Sequence, residues 1–351
     1  MALFTVSGIR IAGMAACVPL QKLSNIDYEW ITERERKMFI KTVGISERRV
    51  APPEHTTSDW CYASAQKLIN QLGWQPADIG LIVFVSQSPD YFVPATCMTI
   101  HKRLGLPQTA MAFDINLGCS GWVYAMSVVS SLMKSCHINK AIVMAGDKST
   151  ISMSYKDKST YPLFGDGGTA TALCLDPNAA PMVFNMQSDG NRHQAIMIPH
   201  GATRTPVNET TYQELEYAPG VIRHQRHLAL DGMAVFNFSI NEVPINIKEA
   251  AAAAGKQPNE YDFVVLHQAN KLMTEQIRRK LALSVEQVPY SIGEFGNTSS
   301  ASIPLTIVYK AREAVSTGKA WLLMSGFGVG LSWATLSAQF DHIVCPELIE
   351  M

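Results

Sequence analysis

Asp114-Ile115-Asn116-Leu117-Gly118-Cys119-Ser120-Gly121-Trp122 carries the reading of this chain. An apolar strand runs into small residues, a thiol and then the apolar stretch of a helix, which is how a chain presents a nucleophile. A thiol at a helix N-terminus faces unpaired backbone N–H groups and the positive end of the helix dipole, so the spacing predicts a favoured thiolate. Alone the motif is weak, because free cysteines are usually packed and inert. Its weight comes from His267-Gln268-Ala269-Asn270 and Gly296-Asn297-Thr298-Ser299-Ser300 downstream.

The 351 residues are 47% hydrophobic and 17% charged, enough apolar material for one double-size domain or two intimate ones, and not a disordered or fibrous composition. The formal net charge of −1 argues against a general nucleic-acid or membrane-surface binder, which needs a basic excess. Seven scattered cysteines without a CxxC pair fit reduced thiols in a cytoplasm better than disulfides or a metal site. No apolar run approaches the roughly 18 to 20 residues of a membrane span. Met14-Ala15-Ala16-Cys17 has the outline of a lipoprotein cleavage site, but Arg10 interrupts it and no basic segment precedes it, so it reads as a first strand.

An internal duplication sets the organisation. Gln71-Leu72-Gly73-Trp74-Gln75-Pro76-Ala77-Asp78 leads into Leu81-Ile82-Val83-Phe84-Val85, and Ala253-Ala254-Gly255-Lys256-Gln257-Pro258-Asn259-Glu260 leads into Phe263-Val264-Val265-Leu266-His267. Gly73 and Gly255 stand 182 residues apart; Leu104 and Leu281 are offset by 177, and Lys140 and Lys319 by 179. Short apolar strands alternating with helical stretches in each half predict an α/β fold with helices on both faces of its sheets. The expected division is 1–180 for a half carrying the cysteine, 181–230 for a connecting and tunnel-mouth region, and 231–351 for a half carrying the histidine and asparagine. In this register the Cys119 loop corresponds, within one residue, to the Asn297 loop. His267 follows the second copy of the strand ending at Val85. Packed about a pseudo-twofold axis, the three loops meet at one seam and bring Cys119, His267 and Asn297 together. Separately, the histidine reads as a strand-end residue and Gly-Asn as an ordinary turn; their joint occurrence at duplication-equivalent positions reverses that.

With these motifs the chain resembles the thiolase-fold condensing enzymes, specifically 3-oxoacyl-acyl-carrier-protein synthase III and its specialised relatives. The likeness extends over essentially the whole chain through Thr42-Val43-Gly44-Ile45-Ser46-Glu47-Arg48-Arg49, Phe164-Gly165-Asp166-Gly167-Gly168-Thr169-Ala170 and Gly326-Phe327-Gly328-Val329-Gly330-Leu331-Ser332-Trp333. It implies a five-layered αβαβα homodimer, no tightly bound cofactor and no metal. CoA or the phosphopantetheine of an acyl carrier serves as substrate carrier. Cys119 would take an acyl group from a thioester, with the backbone N–H groups of Cys119 and Val329 holding the oxyanion. His267 and Asn297 would both donate to the thioester carbonyl of a malonyl group, stabilising the enolate released by decarboxylation. Trp122, Val93, Phe327 and Gly328 are expected around the substrate, and Asp166 as support beneath the site. Lys271, Arg278 and Arg279, on a helix just after His267, form the expected docking patch for an acidic carrier protein.

Other members of the fold are separated by the third polar residue. Retention of Asn297 favours decarboxylative condensation over ester- or amide-forming acyl transfer, and retention of Cys119 disfavours a noncatalytic partner subunit. A cysteine hydrolase has no reason to carry the Gly-Asn-Thr-Ser loop. Three departures from the fatty-acid-initiating pattern stand out. Val329 replaces the usual glycine. Thr203–Ala229 forms a longer, more polar stretch, whose Arg223 or Arg226 offers a phosphate contact against the plainer reading of a solvated charge run. Met38, Thr42 and Ile151 stand where a Trp-Arg clamp and a further Arg hold CoA. The expected primer is therefore carrier-bound, or CoA-bound in another pose, and not plain acetyl.

Overall fold

Leu81–Val85 is buried at every position, as a strand covered on both faces must be. In the computed structural model, which describes residues 2–351, it runs parallel to Met111–Ile115 on one side and Lys140–Asp147 on the other. Gly167–Leu175 and Ile9–Val18 continue the sheet antiparallel, and Ile349–Glu350 completes its six strands. The second sheet repeats the order. Phe263–Leu266 is parallel to Lys319–Gly328, Ser332–Asp341 and Met182–Ser188 follow antiparallel, and Ala2–Val6 forms the fifth strand. Met111–Ile115 has no counterpart in it.

The duplication extends to local chemistry. Gly73 and Gly255 both adopt left-handed φ, +64° and +71°, the conformation that ends a helix most cheaply at glycine. After each, a glutamine opens a short 3-10 turn, and the acid three residues on accepts its N–H: Asp78 from Gln75 at 3.1 Å and Glu260 from Gln257 at 2.6 Å.

Gly121–Cys136 and the helical run 302–317 lie between the two sheets in one shared core. Thr57–Leu72 and Thr96–Leu104 cover the outer face of the first sheet; Gly232–Ala253 and Lys271–Lys280 cover that of the second. The result is the expected αβαβα sandwich, held mainly by its middle layer. Val123, Met126, Val129 and Met133 of the first central helix are each fully buried, worth at most about 1.5–3 kcal/mol apiece.

The boundaries differ from the sequence expectation. Met182–Ser188 is an inner strand of the second sheet, so that half does not begin at 231. The ends of the chain also cross over: Ala2–Val6 joins the second sheet and Ile349–Glu350 the first. The segment between contributes two short ribbons, one pairing Ile196–Met197 with Ala229–Leu230 and one pairing Leu215–Ala218 with Val221–Arg223. Among the described residues, no helix is long and apolar enough to cross a membrane.

Candidate active site

Cys119 sits two residues before Gly121–Cys136, and Asn297 shortly before the helical run that begins at Ser302. The two central helices thus aim their N-terminal ends at the same place, which is how the duplication builds the site. Around the thiol the packing leaves no room for side chains. A Cβ on Gly328 would lie 2.7 Å from Cys119 Sγ, and one on Gly326 would lie 2.8 Å from the Cys119 carbonyl oxygen. Ser332 Oγ donates to the Val329 carbonyl at 2.8 Å. Its proton is therefore spent, and Ser120 Oγ donates to it at 2.7 Å, tying the nucleophile loop to the Val329 turn.

The expected thiolate is overturned. Burial pushes the Cys119 thiol up to about 11, with the charge of buried Asp147 acting the same way, while the Val329 backbone N–H and the Ser299 hydroxyl oppose them. Desolvation outweighs the helix end, so the resting residue is a thiol with the Val329 N–H directed at it.

His267 is 1% exposed and pushed down to about 3 by burial, so its imidazole is neutral. Its backbone N–H donates to Ser325 O at 2.8 Å. Its Nδ1 lies 2.7 Å from Ser302 Oγ, and its ring meets Phe327 edge-on with centroids 5.5 Å apart. Asn297 is pinned through its backbone, donating to Leu163 O at 2.8 Å and accepting from Gly165 N at 3.1 Å. Ser299, at a left-handed φ of +50°, turns its N–H back onto Asn297 Oδ1 at 2.9 Å. That contact assigns the amide oxygen and leaves Nδ2 as the free donor.

Cys119, His267, Asn297, Phe327, Gly328 and Val329 all line one cavity of about 360 Å³. Its outer walls are apolar, built from Phe39, Val43, Met153, Leu228, Leu230 and Val235. Two expected pocket residues are elsewhere. Trp122 is buried in the middle layer, where its Nε1 donates to Thr171 Oγ1 at 3.0 Å; the second residue of a helix squeezed between sheets points at a sheet. Val93 is 83% exposed on the loop before Thr96–Leu104, while Gln87 and Ser88 of the same loop do line the cavity.

The basic patch is also corrected. Arg278 is mostly buried, paired with Glu275 at 2.9 Å and donating to Leu283 O at 2.6 Å, so its charge serves the helix and not a partner. Lys271 and Arg279 are exposed. Arg223 is spent as well: it pairs with the fully buried Asp157 at 3.2 Å and stacks on Tyr217 at 4.1 Å, anchoring the long loop instead of waiting for a phosphate. Asp166 is fully buried and accepts from Ala51 N, Thr150 N and Thr150 Oγ1 at 2.6–3.0 Å.

Asp147 and Ser302 were missed by the sequence reading. Asp147 accepts from Gln87 N at 2.7 Å and from Ser300 Oγ at 2.8 Å, bracing the Asn297 loop against the first half. Its signal was present, since the offset of 179 aligns this carboxylate, ending an apolar strand, with Gly326 beside the seam. Ser302 had no signal beyond its place in a run of small polar residues.

Models of the 3-oxoacyl-[acyl-carrier-protein] synthase III family match residues 113–190 and, for its C-terminal part, residues 251–340. A β-ketoacyl-[acyl-carrier-protein] synthase III of Halalkalibacterium halodurans is 31% identical over 332 residues, spanning 94% of this chain and 96% of that one. The chain belongs to this family. One from Roseiflexus is 31% identical across 93% of this chain and 96% of its own length. The crystal structure of a 3-oxoacyl-(acyl-carrier protein) synthase from Burkholderia xenovorans superposes with a TM-score of 0.94 over 99% of both chains at 34% identity. A priming β-ketosynthase of a polyketide pathway superposes at 0.81 and 25% identity, over 97% of this chain and 98% of that one. This member of the family is an acyltransferase of the thiolase fold, condensing an acyl primer with a malonyl thioester to a 3-oxoacyl product with loss of CO2.

Proposed function

We propose the following residue roles for that reaction. Cys119 Sγ attacks the primer thioester, the new S–C bond forms, and the departing CoA or carrier thiolate takes the proton that Cys119 gives up. The oxyanion lies on the backbone N–H groups of Cys119 and Val329. A malonyl thioester, carried on an acyl carrier protein, then places its carbonyl oxygen between His267 Nε2 and Asn297 Nδ2. The C–COO⁻ bond breaks, CO2 leaves, and the enolate held by the two donors attacks the acyl carbon; the C–S bond breaks, and Cys119 leaves as a thiolate that takes a proton from solvent to regain its resting thiol. A neutral histidine suits this role, because it has a proton to donate and no charge to desolvate. The observation that carries the reading is the arrival of three groups at one apolar-walled cavity, Cys119 and Asn297 from the N-terminal ends of the two central helices and His267 from the end of the strand Phe263–Leu266.

The carrier protein docks, in this reading, on exposed Lys271 and Arg279 together with Lys37 and Lys41 of the adjoining helix Glu33–Val43, whose C-cap Gly44 packs over Lys271. Met38 and Ile151, 58% and 63% exposed, supply no clamp for adenine, so the primer is carrier-bound or held as CoA in another pose, and its acyl group is not plain acetyl. A homodimer fits the edge strand Met111–Ile115, which has one paired neighbour, and the exposed Tyr91, Phe92 and Val93 on the loop before Thr96–Leu104, since open edges and apolar patches are pairing surfaces.

The test is to incubate the protein with a panel of acyl-CoA and acyl-carrier thioesters, weigh the intact chain, and then add malonyl-carrier protein. One acyl mass on Cys119, discharged as a 3-oxoacyl product, is the expected result. Acyl mass at another cysteine would overturn the assignment, and acetyl-CoA as the best donor would overturn the primer class.

A further inference from the structure

His267 has two ring nitrogens and, being neutral, one proton between them. Which nitrogen holds it decides whether the cavity is offered a donor or a lone pair. Nδ1 lies 2.7 Å from Ser302 Oγ, and that hydroxyl is 1% exposed. No other hydrogen bond of the imidazole or of the Ser302 hydroxyl is formed among the described residues. With Nδ1 turned to Ser302 and His267 lining the cavity, Nε2 is the nitrogen open to substrate.

We propose that Ser302 is a positioning residue that donates its hydroxyl proton to His267 Nδ1 and so fixes the imidazole as the Nε2–H tautomer, an inference resting on the condensing role proposed for His267. In the opposite arrangement Nδ1–H donates to Ser302 Oγ, and the serine proton is left buried without an acceptor, which native interiors avoid. It would also face the carbonyl oxygen of a malonyl thioester with a bare lone pair. A helical serine ordinarily donates to a carbonyl of the preceding turn. Here the hydroxyl is turned to the imidazole instead. Ser302 is held from its other side too: its carbonyl accepts from Thr306 Oγ1 at 2.6 Å, and that hydroxyl meets Ser291 Oγ at 2.7 Å. The edge-on Phe327 ring limits rotation of the imidazole. Ser302 lies on the central helix whose N-terminal approach carries Asn297, so one element sets the position of both malonyl donors.

The test combines 15N spectra of the histidine-labelled full chain, which has nine histidines, with separated half-reactions. The His267 signals are assigned by their loss in His267→Gln. The wild type is expected to show Nε2 protonated and Nδ1 as acceptor, and Ser302→Ala a mixture of tautomers. Malonyl decarboxylation by Ser302→Ala should fall about 10- to 100-fold in kcat, the range of one unmade buried hydrogen bond. KM and self-acylation of Cys119 should hold, and Ser302→Thr, which keeps the hydroxyl, should recover most of the rate. Nδ1–H in the wild type, or an unchanged tautomer or decarboxylation rate in Ser302→Ala, would overturn the proposal. Should the wild type decarboxylate no malonyl thioester, the condensing role fails instead, and the nitrogen spectrum alone decides what Ser302 does. If Ser302→Ala does not fold, the wild-type spectrum and the Ser302→Thr rate decide it.

Discussion

Replacing Asn297 with aspartate alters one atom and keeps the shape of the side chain. The Ser299 N–H that Asn297 Oδ1 accepts at 2.9 Å still finds an oxygen, and the backbone contacts to Leu163 and Gly165 are untouched. What disappears is the Nδ2 donor. Losing one preorganised donor to a developing oxyanion costs about 2.7–4 kcal/mol, or about 100- to 1,000-fold in rate. Decarboxylation of malonyl-carrier protein, followed as released labelled CO2, should fall by that factor in Asn297→Asp, while acyl transfer to Cys119, followed by intact mass, stays near wild type. Lowering the pH should restore part of the loss, because a protonated carboxyl regains an O–H to donate. Asn297→Ala is the harsher change. It also leaves the buried Ser299 N–H without an acceptor, adding about 1–3 kcal/mol of instability, so its thermal midpoint should drop. Decarboxylation by Asn297→Asp within threefold of wild type would refute the donor role. A parallel loss of self-acylation would show that the amide supports the fold or the first half-reaction instead.

Cys119→Ala should abolish acyl loading, and in the wild type, iodoacetamide labelling of the Cys119 peptide should keep rising between pH 7 and 10, since the thiol is pushed up to about 11; a plateau near neutrality would contradict a buried, uncharged thiol. His267, held down to about 3 in the fold against about 6.5 unfolded, lets the unfolded chain bind the extra proton. Stability is therefore lost as pH falls from about 6.5 towards 3: about 2 kcal/mol between pH 7 and 5, a slope that His267→Gln should remove in denaturant titrations and whose persistence in that variant would assign it to other groups. Lys271→Glu with Arg279→Glu should raise KM for malonyl-carrier protein and spare small thioesters; equal losses on both would exclude docking. Arg278→Ala should instead lower stability by about 1–3 kcal/mol, through its bonds to Glu275 and Leu283, and leave that KM alone.

Much of the site could be read from the chain because duplication is a linear signal. Similar offsets, 182 residues between Gly73 and Gly255 and 179 between Lys140 and Lys319, place strand ends and loops in register before any contact is known, and they put Cys119 opposite Asn297, two residues that line one cavity in the fold. Motif chemistry was legible for the same reason: a small-residue run around a thiol, and glycines at 326 and 328, are local demands of tight backbone approach. The protonation of those groups was not legible. A helix end favours a thiolate locally, yet the free energy of a charge depends on everything packed around it, and burial from both halves reverses the sign at Cys119. Side-chain partners follow the same rule. Arg278, Arg223 and Trp122 carry donors that the sequence offers to a ligand and the fold assigns to Glu275, Asp157 and Thr171. The exchange of terminal strands between sheets was invisible too, since five residues of β pattern do not say which edge they join. By itself the sequence determined the α/β class, the repeat and the three polar groups that meet. Only the tertiary structure decided which of them are charged, which are free, and which neighbour, such as Ser302, aims them, because those properties are set by desolvation and by contacts between residues far apart in the chain.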